Sequence, residues 1–149
     1  MPQVRNVLIV NNTVFNAPVG VRMRWSKSTN AVFANNAIYC PTGSAILAET
    51  GAAVIQCNYI HGRQTGVTID NRQFFDGGEA IAAFVDITNN DFWPAPGSLL
   101  HEHADRTLAP ESDFNGTKRT APPDVGAYES HKGERNPGWP IQAGFKRWR

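Results

Sequence analysis

The chain has 149 residues, 14 Lys and Arg against 13 Asp and Glu, and a formal net charge of +1. That is enough for one domain with a real core, and so small a charge argues against a general polyanion binder. Charged residues make up 18% of the chain, below the roughly 25% of an ordinary soluble domain, and no apolar run approaches the ~18 residues of a membrane span.

The N-terminus, Met-Pro-Gln-Val-Arg-Asn, enters a strand pattern at once and carries no signal-peptide apolar region. This predicts a cytoplasmic protein, a mature chain or a fragment. Four stretches then repeat one another: Ile9-Val-Asn-Asn-Thr-Val-Phe15, Phe33-Ala-Asn-Asn-Ala-Ile-Tyr39, Ile55-Gln-Cys-Asn-Tyr-Ile-His61 and Ile87-Thr-Asn-Asn-Asp-Phe-Trp93. Each is an apolar strand end, a polar turn holding an asparagine, and an alternating apolar-aromatic strand. The turn asparagines Asn12, Asn36, Asn58 and Asn90 are spaced by 24, 22 and 32 residues. A second strand follows each turn: Val21-Arg-Met-Arg, Ile46-Leu-Ala-Glu, Val67-Thr-Ile-Asp and Leu99-Leu-His-Glu. Repetition at a period of roughly 20 to 50 residues signals stacked units. A unit of this length with two or three short strands matches one turn of a parallel β-helix. The long third gap predicts an insertion around Arg72-Gln-Phe-Phe-Asp-Gly-Gly-Glu79 that leaves the stack.

Period-2 alternation sends Val7/Ala31/Ala53/Val85, Ile9/Phe33/Ile55/Ile87 and Val14/Ile38/Ile60/Phe92 inward. The asparagine column is expected to form an amide ladder from rung to rung, with Asn also tolerating the left-handed backbone of a sharp turn. No 12-residue window has a helical period, so helix content should be very low. Cys40 and Cys57 fall in adjacent rungs but different columns, which predicts two free thiols.

This organisation resembles the right-handed parallel β-helix, or pectin-lyase-like, superfamily over residues ~5 to 129. Asp113-Phe-Asn-Gly-Thr-Lys-Arg119 followed by Asp124-Val-Gly-Ala-Tyr-Glu129 is similar to the closing segment of many such proteins. There Gly116 would give the tight turn, Arg119 would pair with Asp113 or Asp124, and Val125 and Ala127 would alternate as a last strand. The expected fold is all-β: a short single-stranded right-handed parallel β-helix of about four rungs with an irregular C-terminal cap over 1–131, then a packing arm or tail over 132–149. Unlike members with a capping helix, this chain starts on a bare rung at Val7, which another chain or its own tail should cover. The resemblance leans towards an extracellular protein.

Function on such a fold belongs to outward columns. Phe15/Tyr39/His61/Trp93 offers aromatic faces for a structural stack, a protein partner or a sugar. Leu8/Val32/Val54/Asp86 carries three aliphatics on a nominal solvent face, to be covered by the tail, with Trp139, Phe145 and Trp148, or by a second copy in a homodimer. Arg24/Glu49/Asp70/Glu102 stacks three carboxylates at strand ends. Such a column is relieved by a bound cation such as calcium, by raised pKa values or by Arg24, or its side chains splay into water; paired acids also suit glycoside hydrolysis. His101, His103 and Asp105 are weak candidate ligands for a transition metal. Lyases of the resembled fold commonly use a Lys or Arg base, and here no lysine lies in the strand columns. The basic-aromatic tail has no matching basic face elsewhere, so nucleic acid is not expected. The leading expectation is therefore a non-enzymatic, self-associating interaction module, a homodimer. The alternatives are a carbohydrate-active protein that binds or cleaves an acidic polysaccharide along Glu49, Asp70 and Glu102, or a fragment of a larger enzyme of that kind.

Overall fold

The computed structural model describes residues 5–25, 28–51 and 54–130. Within them the chain is mainly β. Strands β1 (Leu8–Val10), β2 (Thr13–Phe15) and β3 (Val19–Trp25) form a first pass; β4 (Val32–Ala34) and β5 (Ala37–Gly51) form a second; β6 (Val54–Gln56) and β7 (Asn58–Thr65) form a third. Each pass lies parallel to the next and in register: Leu8 beside Val32 beside Val54, and Val14 beside Ile38 beside Ile60. One sheet is β1-β4-β6. The other is β2-β5-β7-β8, with β3 also paired to β5.

The corner between the sheets is made by two residues with different tasks. Asn11, Asn35 and Cys57 take the left-handed conformation, at φ of 52°, 57° and 53°. The residues after them form the amide ladder. Asn12 Nδ2 donates to Asn36 Oδ1 at 2.9 Å, and Asn36 Nδ2 donates to Asn58 Oδ1 at 2.8 Å. Each receiving oxygen also accepts the donor residue's backbone N–H, at 3.0 and 3.1 Å. The left-handed task expected of the ladder asparagines thus falls one position earlier.

The fourth unit departs from expectation. The strand that continues the large sheet is β8 (Phe74–Asp76), with Phe74 beside Asn58 and Asp76 beside Ile60. The region expected to leave the stack therefore belongs to it. Phe74 is 1% exposed and packs with Ile38 and Ile60, a burial that the polar Asn89-Asn90 stretch could not supply. The look-alike segment leaves instead. It holds β9 (Phe84–Asp86) and β10 (Asp91–Pro94), an antiparallel pair preceded by the single turn α1 (Ala80–Ala83). Asp86 ends β9 by accepting the N–H groups of Thr88 and Asn89, which nucleates a 3-10 turn over Ile87–Asn89. Hydrogen bonds from the Thr88 and Asn89 side chains hold the Asp86 carboxyl down at about 2. Asn90 closes that turn in the left-handed conformation and takes no part in the ladder. Val85, expected inside, is accordingly exposed.

Two cores result. One lies between the sheets, around Met23, Phe33, Ile38, Ile46, Ile60 and Phe74. The second lies on the outer face of the large sheet, where Ala37, Tyr39 and Tyr59 meet Phe84, Phe92, Leu100 and Tyr128. The large sheet is thus buried on both faces, as parallel sheets generally are. Gly77 permits the join: a Cβ there would lie 2.6 Å from the Tyr39 hydroxyl, which donates to the Gly77 carbonyl. Cys40 and Cys57 are unbridged, and burial pushes the Cys57 thiol above its ordinary range.

The closing segment, 98–130, is irregular. Val125 and Ala127 form no strand; Val125 N–H donates to the Leu100 carbonyl and Gly126 N–H to that of Asn35. Arg119 is the segment's central tie, and its partner is Glu129 at 3.0 Å rather than the side chain of Asp113 or Asp124. Asp113 is occupied in its own turn by the N–H groups of Asn115 and Thr117. Asp124 accepts from Glu102 N and Ser130 N, and burial raises its pKa. The expected tail over 132–149 lies outside the described residues.

Candidate interaction surface

Phe15, Tyr39 and His61 do share a register column, but it is an internal one. Tyr39 is fully buried, with its ring edge-on to Phe84 at 4.9 Å. Phe15 meets Phe92 at 4.9 Å, and Tyr39 stacks on His61 at 6.1 Å. Trp93 is elsewhere, stacked on Tyr128 at 4.1 Å. The reason is the displaced fourth unit: β9 and β10 fold back as a roof over the column, which removes it as an open binding surface.

The carboxylate column also does not assemble. β3 and β5 slip by one residue after Met23, so that Arg24 lies beside Thr50 and Glu49 bulges between. Both neighbouring cations reach it, Arg22 at 2.6 Å and Arg24 at 2.6 Å. Those hydrogen bonds, from Arg24 first and Arg22 second, hold the Glu49 carboxyl below its usual range. Asp70 caps a turn, with Oδ1 accepting from Arg72, Gln73 and Phe74 N–H at 3.0, 2.8 and 3.1 Å; these bonds, that of Phe74 foremost, lower its pKa. Glu49 and Asp70 line one cavity of about 370 Å³, while Glu102 belongs to the closing segment and donates its N–H to Asp124. The like-charge stack is therefore dispersed by a bulge, two arginines and a turn.

The histidine group is dispersed too. His103 Nδ1 bonds to the His101 carbonyl at 2.6 Å. Asp105 is spent on Gln56, Thr107 and, through its backbone, Asn35. Among the described residues no three His, Cys, Asp or Glu side chains gather to hold a metal ion.

What stays open lies around the first pass. Leu8, Val32 and Val54 stand in line, one per strand of the small sheet. Leu8 is 69% exposed and Val54 53%. Asp86, expected to complete this column, caps the 3-10 turn instead, and the candidate covers Trp139, Phe145 and Trp148 lie outside the described residues. On the outer side of the large sheet, a cavity of about 800 Å³ separates Val10–Asn16 from the hairpin and the closing segment. Phe15, Phe92, Phe114 and Tyr128 contribute rings to it, and Asn12, Asn16 and Asn90 contribute amides. Phe114 is 62% exposed. The closing segment is tied down beside this cavity. Asn11 Nδ2 donates to the Asp124 carbonyl at 3.0 Å, and Ala127 N–H donates to Thr13 Oγ1 at 2.9 Å. Gly126, at φ +96°, is required there, since a Cβ would sit 2.6 Å from that hydroxyl.

The composition of the Leu8 line was legible as an outward apolar column. The cavity was not, because it joins first-pass residues to walls that lie 74 to 118 residues further along the chain. No family model, curated protein or solved structure matches the chain.

Proposed function

We propose that the protein is a short right-handed parallel β-helix of the pectin-lyase-like kind that serves as a non-enzymatic interaction module and associates with a second copy of itself. The in-register passes and the asparagine ladder support the architecture. The observation that carries the function is the line of Leu8, Val32 and Val54, aliphatic side chains repeated at strand spacing on a solvent face. A two-fold interface uses such a patch twice. Three aliphatic side chains cover only part of the ~800 Å² per partner typical of a stable complex, so the association is weak and concentration-dependent. Light scattering after size exclusion should give a dimeric mass at high concentration and a falling mass on dilution. Leu8→Lys together with Val54→Lys should give a monomer with unchanged melting temperature. A wild-type monomer at every concentration would sink the proposal.

A second reading is supported by the larger cavity, whose rings and amides suit the faces and hydroxyls of a sugar. With Glu49 neutralised and Arg119 paired internally, the chemistry fits neutral oligosaccharides better than acidic ones. A panel of neutral oligosaccharides should then bind where polygalacturonate does not. Phe114→Ala should weaken binding about tenfold, a ring-stacking contribution of ~1–1.5 kcal/mol. No binding across the panel would remove this reading.

A further inference from the structure

The ladder has a direction, and it is unfinished at one end. Each ladder oxygen accepts from the asparagine one pass earlier: Asn58 Oδ1 from Asn36, and Asn36 Oδ1 from Asn12. Each amide in turn donates to a carbonyl of the pass before it, Asn36 Nδ2 to Ile9 O and Asn58 Nδ2 to Phe33 O, both at 3.0 Å. Asn12 has neither partner among the described residues. Its exposed amide turns back to its own Val10 carbonyl at 3.1 Å, and nothing described donates to its Oδ1.

The backbone beside it is open in the same sense. In a parallel ladder, alternate residues bond to opposite sides. Val32 and Ala37 turn their N–H groups to the Val7 and Asn12 carbonyls, while the Ala34 and Tyr39 carbonyls accept from Asn11 and Asn16. Their register partners Leu8, Val10, Thr13 and Phe15 therefore turn outward, past the edge of β1 and β2. Among the described residues each of these strands pairs on one side only. Residues of this first pass, Val10 to Asn16, also form one wall of the 800 Å³ cavity, opposite the hairpin and the closing segment.

We propose that this edge is a docking site for a segment of another polypeptide that adds one more parallel pass and carries an asparagine opposite Asn12. Its N–H and side-chain amide would donate to Asn12 Oδ1, and a carbonyl three residues before its asparagine would accept from Asn12 Nδ2. Its apolar residues would fall in line with Ile9 and Val14. The partner's chemistry is thus that of the chain's own second pass, because the site continues the interface by which passes one and two already bind. This use of the edge is separate from self-association through Leu8 and Val54, which are on a face.

The probe is a synthetic peptide copying residues 30–49, added to the full chain under reducing conditions and followed by amide hydrogen exchange. Bound peptide should slow exchange of the Leu8, Thr13 and Phe15 amides at least tenfold and leave buried amides such as Ile38 unchanged. The same peptide with Asn36→Leu should lose at least tenfold in affinity, as should the protein with Asn12→Leu. The proposal is overturned if the peptide fails to bind at millimolar concentration, if it binds without protecting those three amides, or if the Asn36→Leu peptide binds equally well. It is also overturned if those amides are already protected in a dimer of the chain, which would make the occupant a second copy placed edge to edge. The Leu8→Lys, Val54→Lys monomer, run in parallel, separates failure here from failure of self-association.

Discussion

Replacing Arg119 by methionine should lower the stability of the fold by about 3–5 kcal/mol. The Arg119 and Glu129 side chains are 3% and 0% exposed, and their charges meet at 3.0 Å. Removing the cation leaves a carboxylate in a dry site, where an unpaired charge costs several kcal/mol. The guanidinium also donates to the Asp124 and Gly126 carbonyls at 3.1 and 2.8 Å, which lose their partner at the same time. Glu129 in turn organises the segment, accepting from Thr120 N, Thr120 Oγ1 and Asp124 N at 2.8, 2.6 and 2.9 Å. Against a total stability of about 5–15 kcal/mol for an ordinary domain, this loss frees the closing segment and uncovers Tyr39 and Phe84. Urea denaturation of the wild type, Arg119→Met, Glu129→Leu and the double variant is the measurement. The double variant should be less destabilised than the sum of the singles, since removing both charges leaves none stranded. A cost below about 1 kcal/mol for Arg119→Met would show that the pair is dispensable.

The importance of this pair was only half visible in the sequence. Arg119 stood out as a cation of the closing motif, but the partners expected for it were Asp113 or Asp124, and Glu129 was not singled out. All three carboxylates are buried, and hydrogen bonding makes the choice: Asp113 accepts the N–H groups of Asn115 and Thr117, Asp124 those of Glu102 and Ser130, and Glu129 meets the guanidinium. The first three passes were legible because two signals coincided, period-2 apolar alternation and an asparagine at the corner. The fourth was misread because Ile87-Thr-Asn-Asn-Asp-Phe-Trp93 carries both signals, whereas Phe74-Phe-Asp76 carries only burial. What separates them is Asp86, which captures two N–H groups and starts a 3-10 turn where a strand was expected. Misplacing that unit also misplaced one of the candidate surfaces. Of the readings weighed for the aromatic column, the structural stack is the one found: the segment thought to extend it roofs it instead, and the surfaces left open include the Leu8 line and the edge of the first pass.

Substituting the ladder should give a graded result, with Asn36→Leu costing about 3 kcal/mol and Asn12→Leu under about 1 kcal/mol. Asn36 is 1% exposed and satisfied on both sides. Its oxygen accepts from Asn12 N and Nδ2 at 3.0 and 2.9 Å, and its amide donates to Ile9 O and Asn58 Oδ1 at 3.0 and 2.8 Å. Leucine matches the volume but replaces none of these bonds, so the Ile9 carbonyl loses its side-chain donor and Asn58 Oδ1 keeps only the backbone N–H of residue 36. Water can reach the Asn12 side of the break and cannot reach Asn58, which is fully buried; the cost is therefore set mainly by the inner partners. Asn12→Leu removes only the Nδ2 bond to Asn36 Oδ1, which keeps the backbone N–H of residue 12 as a donor, and the break lies at the solvent end of the ladder. Thermal or urea melts of the two variants measure the difference directly. Equal costs would mean that the amides are merely turn formers acting one by one. A steep inner-to-outer gradient would mean that they act as a ladder, whose end at Asn12 is the one place where another donor can still be added.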